Sequence, residues 1–204
     1  METKERILMK SHELFNRYGI RSVSMDDIAS QLGMSKKTLY QFYTDKDELV
    51  TAVFSTVMDT NQVQCSGHQA KADNPIHEVF MAFDMMQEMF ANMNPSVLFD
   101  MEKYHPNCFK KFQDYKNGFM YGMIRSNIER GIAAEVYRDD MDVDILTRYR
   151  IHSIMLAFNP DVFPNNRNII VHIEQQLLEH FLNGLATAKG HKLVQKYKSQ
   201  RIKK

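Results

Sequence analysis

The chain has 204 residues, 44% of them hydrophobic and 25% charged, with a formal net charge of +1. This is an ordinary globular composition; no apolar run approaches the roughly 20 residues of a membrane helix, and the charged start "METKERILMK" has no signal-peptide core. Two cysteines, Cys65 and Cys108, are too few and too far apart for a disulfide scaffold or a zinc cluster, so a reducing cytoplasm is the expected compartment.

The charge is unevenly spread. Residues 1–46 carry eight Lys/Arg against six Asp/Glu, residues 189–204 carry seven basic and no acidic side chains, and the rest therefore sums to −8. Basic ends suit an anionic polymer, and an acidic body resists coating by it.

Ile7, Leu8, Leu14, Phe15 and Tyr18 fall at helical spacing, so residues 4–18 read as a helix closed by Gly19. Ser24 with Asp27 three residues on is a capping-box-like start. Ile28, Ala29 and Leu32 give the helix that follows one apolar face, and Gly33 ends it. Ser35 caps a third helix over 36–43, with Leu39 and Phe42 on its inward side. Thr44 or Asp45 then caps a fourth helix from Lys46.

Helix, glycine turn, helix is the helix-turn-helix plan. A short second helix fits the major groove of B-DNA. Leu39 anchors it, leaving Lys36, Lys37, Thr38 and Tyr40 for the other side. Lysine neutralises phosphate or donates to guanine, and threonine bonds a base edge or touches a thymine methyl. Tyr40 and Tyr43 carry hydroxyls for phosphate, and Lys46 lies at a helix start that favours an anion. With the caps Ser24 and Ser35, these residues form the expected DNA-binding set.

Helix 4–18, Gly19 and "SMDDIASQLGMSKKTLYQFYTDKDEL" resemble the N-terminal domain of the TetR/AcrR family of bacterial transcriptional regulators. The pattern is carried by Ile28-Ala29, Gly33-Met34-Ser35, Leu39-Tyr40, Phe42-Tyr43, Lys46 and Glu48-Leu49. It departs at Lys37, where many members have a small residue, and at Gln41 and Phe42, where many have another aromatic or a histidine. The departures bear on which side chain reads which base.

Leu49, Val50, Val53, Phe54, Val57 and Met58 continue the fourth helix, and "CSGHQAKADNP", 65–75, reads as a loop. Residues 76–93 are apolar on nearly every face, as in a buried helix. A short helix is expected over 96–103, a longer one from Pro106 to about Glu129 stopped by Gly131, another over 144–158, and a last one over 168–188. Asn159-Pro160 and Pro164-Asn165 bracket a loop. No alternating strand pattern appears, so the chain reads as all-α: a three-helix head over 1–46, a larger helical domain over 47–188 whose first part, 47–64, is a connecting helix, and a basic tail over 189–204. The tail reads as a mobile phosphate-contacting arm or, preferably, a solvated helix end.

The resemblance implies a ligand site in the larger domain, and the methionine-rich stretch offers Phe83, Met85, Met86, Met89, Met120 and Met123 for an apolar effector. Methionine tolerates varied ligand shapes; solid core packing is the competing reading of the same residues. The resemblance also implies a homodimer through the last two long helices, matching a palindromic operator with half-sites about 34–36 Å apart.

Other chemistry is weak. "DDMDVD", 139–144, begins like a calcium loop, but Ile145 and Ile151 stand where such a loop needs Gly and Glu. His172 and His180, eight apart, match no zinc motif, and neither a nucleophile elbow nor a glycine-rich phosphate loop occurs. No cofactor, metal or enzymatic activity is expected. The leading expectation is a ligand-responsive repressor; the alternative is an effector-independent DNA-binding or partner-docking protein with a solid C-terminal core.

Overall fold

The structure is a computed structural model, described for residues 2–91, 93–164 and 169–202. The expected loop boundary at Asn165 and helix start at 168 lie outside these residues. All named elements are helical: α1 (Thr3–Tyr18), α2 (Met25–Leu32), α3 (Lys36–Tyr40), α4 (Lys46–Lys71), α5 (Pro75–Ala91), α6 (Ser96–Tyr104), α7 (Pro106–Tyr115), a π-turn (Lys116–Met120), α8 (Tyr121–Ala133), α9 (Val143–Leu156), α10 (Ile170–Leu185) and α11 (Ala188–Ile202). Among the described residues the sole β feature is an isolated bridge between Tyr137 and Ala186.

The chain divides into two compact units, Met1–Asn61 with Asn92–Tyr115, and Gln62–Ala91 with Lys116–Lys204. The first unit's core is built from Ile7, Phe15, Ile20, Ile28, Leu39, Leu49, Val50 and Val53 together with Val97, Met101 and Cys108. Sequence-distant α6 and α7 thus complete the core of the N-terminal helices. Asp100 of α6 accepts the backbone N–H of Arg21 at 3.0 Å, and the Asn94 N–H donates to the Asn16 carbonyl at 2.7 Å.

The local signals explain the small helices. Ser24 and Asp27 close a reciprocal capping box at α2. Gly33 follows at φ 65°, ψ 30°, a left-handed cap that lets the chain turn at once into α3. Ser35 Oγ accepts the Thr38 N–H at 3.1 Å. The third helix ends at Tyr40, three residues earlier than its periodicity suggests. Gln41 and Phe42 bond back three residues, to Thr38 and Leu39, and so tighten the last turn. That twist exposes Phe42 and buries Tyr43 to 2%, so Tyr43 takes the inward place expected of Phe42.

Two further expectations need correction. Residues 65–71 continue α4, with Cys65, Gly67 and His68 half-buried along it, and the connection shrinks to 72–74. Pro75 then opens α5, where a first-turn proline loses no helical bond, and Asn74 Oδ1 accepts from the His77 N–H. Gly131 does not stop its helix. It lies inside α8 because the Tyr137 ring crosses it: a Cβ there would meet Tyr137 Cδ2 at 1.9 Å.

The last helix is also split. The Arg138 N–H donates to the Leu185 carbonyl and the Thr187 N–H to the Val136 carbonyl, which breaks the run at Ala186. The expected tail then becomes α11, with Val194 and Tyr197 buried in the second unit's core beside Ile76, Phe80, Phe83, Leu178 and Leu182. The Tyr197 hydroxyl accepts from Asn74 Nδ2 at 2.8 Å, and its ring stacks on His77 at 4.5 Å. Lys198 pairs with Glu179 and Arg201 with Asp84, so the tail's charges are partly neutralised by the acidic body.

Candidate nucleic-acid interface

Leu39 is fully buried, and it fixes which way the five residues of α3 face. Lys36, Lys37 and Tyr40 are exposed and Thr38 is half-buried. Lys37 has no ion pair or hydrogen bond among the described residues, which leaves it the free cation of this helix. Lys36 is held instead. Its Nζ lies 2.8 Å from Asp26 Oδ1 and 5.9 Å from the centre of the Tyr40 ring. The Asp26 carboxylate raises the Lys36 pKa above its ordinary value, so the ammonium stays charged.

The two capping serines have their hydroxyls engaged locally. Ser24 Oγ donates to Asp27 Oδ2 at 2.6 Å, and this bond holds the Asp27 carboxyl below its usual range. Ser35 Oγ lies 2.8 Å from Thr38 Oγ1. Both serines remain exposed beside α3.

Tyr43 and Lys46 are placed differently from the rest of the expected set. Tyr43 is buried in the core with no partner for its hydroxyl among the described residues, and burial pushes its pKa up. Lys46 is half-buried, donates to the Ile20 carbonyl at 2.6 Å, and has its pKa lowered by desolvation. The structure therefore gathers Ser24, Ser35, Lys36, Lys37, Thr38 and Tyr40 at one exposed end and turns Tyr43 and Lys46 inward. Asp26 joins that end, a residue that sequence reasoning did not single out. Its contact with Lys36, ten positions on, follows from the Gly33 turn and has no periodic signal.

In the second unit, Phe83 belongs to the core, with the Arg201 guanidinium 4.6 Å from its ring centre. Met85, Met86, Met89, Met120 and Met123 are each half-buried. A groove of about 190 Å³ is lined by Asn117, Tyr121, Arg148, Ile151 and His152, a polar lining distinct from the methionine set. Arg148 Nε there donates to Asp144 Oδ2 at 2.9 Å, and Tyr121 bonds the other oxygen of the same carboxylate. Asp142 caps α9, and Asp140 pairs with Arg138. Among the described residues, no three His, Cys, Asp or Glu side chains converge as a metal site, and no helix is long and apolar enough to cross a membrane.

Residues 7–53 match the profile of the bacterial regulatory proteins of the tetR family. An HTH-type transcriptional regulator of Staphylococcus aureus (strain bovine RF122 / ET3-1) is 35% identical over 80% of this chain and 81% of its own length. The uncharacterized HTH-type regulator YvaF of Bacillus subtilis (strain 168) is 30% identical over half of this chain, a match that spans only 53% of YvaF. Among solved structures, the reduced form of E. coli NemR aligns with a TM-score of 0.75 at 12% identity, covering 91% of this chain and 98% of that one. A transcriptional regulator from Saccharomonospora viridis, solved in complex with choline, aligns at 0.71 with 18% identity over 90% and 97%. An α3 with an exposed polar side, set in a match that runs well beyond the head, leads to one conclusion: this chain is a DNA-binding transcriptional regulator and belongs to the tetR family.

Proposed function

We propose that the chain is a homodimeric, cytoplasmic repressor that binds a palindromic operator and releases it when a small, largely apolar effector occupies the C-terminal domain. It acts by binding and not by catalysis. In this reading residues 1–46 are the head, with Ser24, Ser35, Lys36, Lys37, Thr38 and Tyr40 meeting DNA, and 47–188 the effector and pairing domain. The observation that carries it is the full burial of Leu39 against the exposure of Lys36, Lys37 and Tyr40. Such a helix has one apolar anchor and an outward polar side, as groove entry requires.

Exposed Ile145 and Tyr149, one turn apart on α9 at 63% and 44% exposure, support pairing through the last long helices. The half-buried methionines of α5, the π-turn and α8 support an effector site, and the choline complex of the Saccharomonospora regulator is an instance of a bound small molecule in this fold. Effector and DNA would then favour different states of the same dimer, each weakening the other.

A second reading has its own observation. Phe83 packs among Phe80, Leu178, Phe181 and Leu182 with Arg201 over its ring, which suits a solid core and an effector-independent protein. Fluorescence anisotropy on a palindromic duplex selected from a random pool tests the leading reading. Lys37→Ala should weaken binding about tenfold and flatten the salt slope by about 0.9, as for one lost phosphate contact. Unchanged affinity in Lys37→Ala and Tyr40→Phe together would remove α3 as the reading element.

A further inference from the structure

Lys36 and Asp26 lie ten residues apart in sequence, on α3 and α2, and meet at the exposed end of the head. The ammonium is 2.8 Å from one carboxylate oxygen and 3.0 Å from the other, and it stands over the Tyr40 ring at 5.9 Å. Both side chains are more than half exposed. An exposed ion pair adds little to stability, so the contact matters for where it holds the charge. A lysine has three N–H donors. The single Asp26 carboxylate subtends too narrow an angle to engage all three, so at least one remains for an outside acceptor.

We propose that Asp26 is a specificity-determining residue: it withholds the Lys36 ammonium from the phosphate backbone and presents its remaining N–H to an acceptor on a base edge. The proposal rests on α3 being the reading helix. A free lysine at this place is drawn to the nearest phosphate, a contact that strengthens binding to every sequence alike. A lysine already paired gains little from phosphate, and the pair as a whole is neutral. The Asp26 carboxylate also repels any docking that brings backbone against it, so a wrong register costs more than a right one. The favourable position of an acid in the first turn of α2 accounts for a carboxylate there, but it does not account for the geometry at Lys36.

The test uses the full chain as wild type, Asp26→Asn, Lys36→Ala and the double variant, with melting by circular dichroism to verify folding. Each is titrated by fluorescence anisotropy against the selected duplex and against a mixed-sequence duplex of equal length, between about 50 and 200 mM salt. Asp26→Asn should tighten mixed-sequence binding about fivefold and steepen its salt slope by about 0.9. The ratio of selected to mixed affinity should fall about tenfold. Lys36→Ala alone should weaken the selected duplex and leave the mixed-sequence slope unchanged, and in the double variant the steepening should vanish. The proposal is overturned if Lys36→Ala flattens the mixed-sequence slope equally with and without Asp26, since Lys36 would already be on phosphate. It is equally overturned if the double variant keeps the steeper slope, since Asp26's own charge would then be the cause. Unchanged affinity in both Lys37→Ala and Tyr40→Phe would instead refute α3 as the reading helix.

Discussion

The Lys46 ammonium donates a 2.6 Å hydrogen bond to the Ile20 carbonyl and so ties the first residue of α4 to the turn after α1. A cation at a helix start suggests phosphate, yet here its nearest acceptor is the protein itself. Lys46→Met should lower stability by about 1.5 kcal/mol, the scale of a hydrogen bond from a charged donor. Urea unfolding reads this directly. An unchanged midpoint, with a DNA salt slope reduced by about 0.9, would return Lys46 to the phosphate set.

Gly131→Ala should cost about 2 kcal/mol, because the new methyl would overlap the Tyr137 ring. Pairing the change with Tyr137→Ala should make the glycine substitution nearly silent. Thermal melts of the two single variants and the double one separate this clash from a loss of backbone freedom.

Arg150 and Glu174 form a buried pair at 3.3 Å between α9 and α10, and among the described residues Glu174 Oε1 has no hydrogen-bond partner. Burial outweighs the guanidinium and pushes the Glu174 carboxyl from 4.5 up to about 7. The folded-state pKa lies above the unfolded one, so this group's contribution is fully present below pH 4.5 and is lost as pH rises through 7. Unfolding free energy measured across that window should fall less steeply in Glu174→Gln than in wild type. Glu174→Ala should cost about 3–5 kcal/mol by stranding Arg150, and Arg150→Met with Glu174→Leu should recover most of it. A wild-type slope identical to that of Glu174→Gln would show the group ionised throughout.

Tyr197→Ala should destabilise the second unit by about 3 kcal/mol, as expected for a buried aromatic that also loses a stacked ring. Tyr197→Phe, which keeps the stack and loses the bond from Asn74, should cost about 1 kcal/mol. Neither should alter the salt dependence of DNA binding. A flattened salt slope without a stability loss would make α11 a DNA-contacting arm.

Cys108 is buried, and desolvation pushes its thiol up to about 12. Cys65 is half-buried, with its pKa raised to a lesser degree. Native-state alkylation followed by mass spectrometry should label Cys65 first and reach Cys108 only after unfolding. Equal labelling in the folded protein would mean that the packing of α7 on the Val50 turn opens readily.

The head was legible because its signals are local. Ser24 with Asp27, Gly33 and Ser35 each act within four residues, and Leu39 is the single apolar side chain of a very short helix. What escaped prediction turns on geometry that hydrophobic spacing does not carry, in part on partners far along the chain. Tyr43 rather than Phe42 turns inward because the last turn tightens. Lys46 is claimed by a carbonyl 26 residues back. Residues 65–71 look like a loop by composition and are helical, because propensity is a weak prior against packing. Gly131 reads as a stop until Tyr137 is seen to need its missing side chain. The tail's lysines suggest solvation, while Val194 and Tyr197, spaced three apart among them, carry the burial.

The dependence of the N-terminal helices on Val97, Asp100, Met101 and Cys108 bears on how such regulators can be recombined. A chimaera that transplants only the first fifty or so residues into another scaffold leaves the Arg21 amide and the underside of Ile20 facing foreign side chains. To transfer sequence preference intact, the graft has to bring α6 and α7 with it.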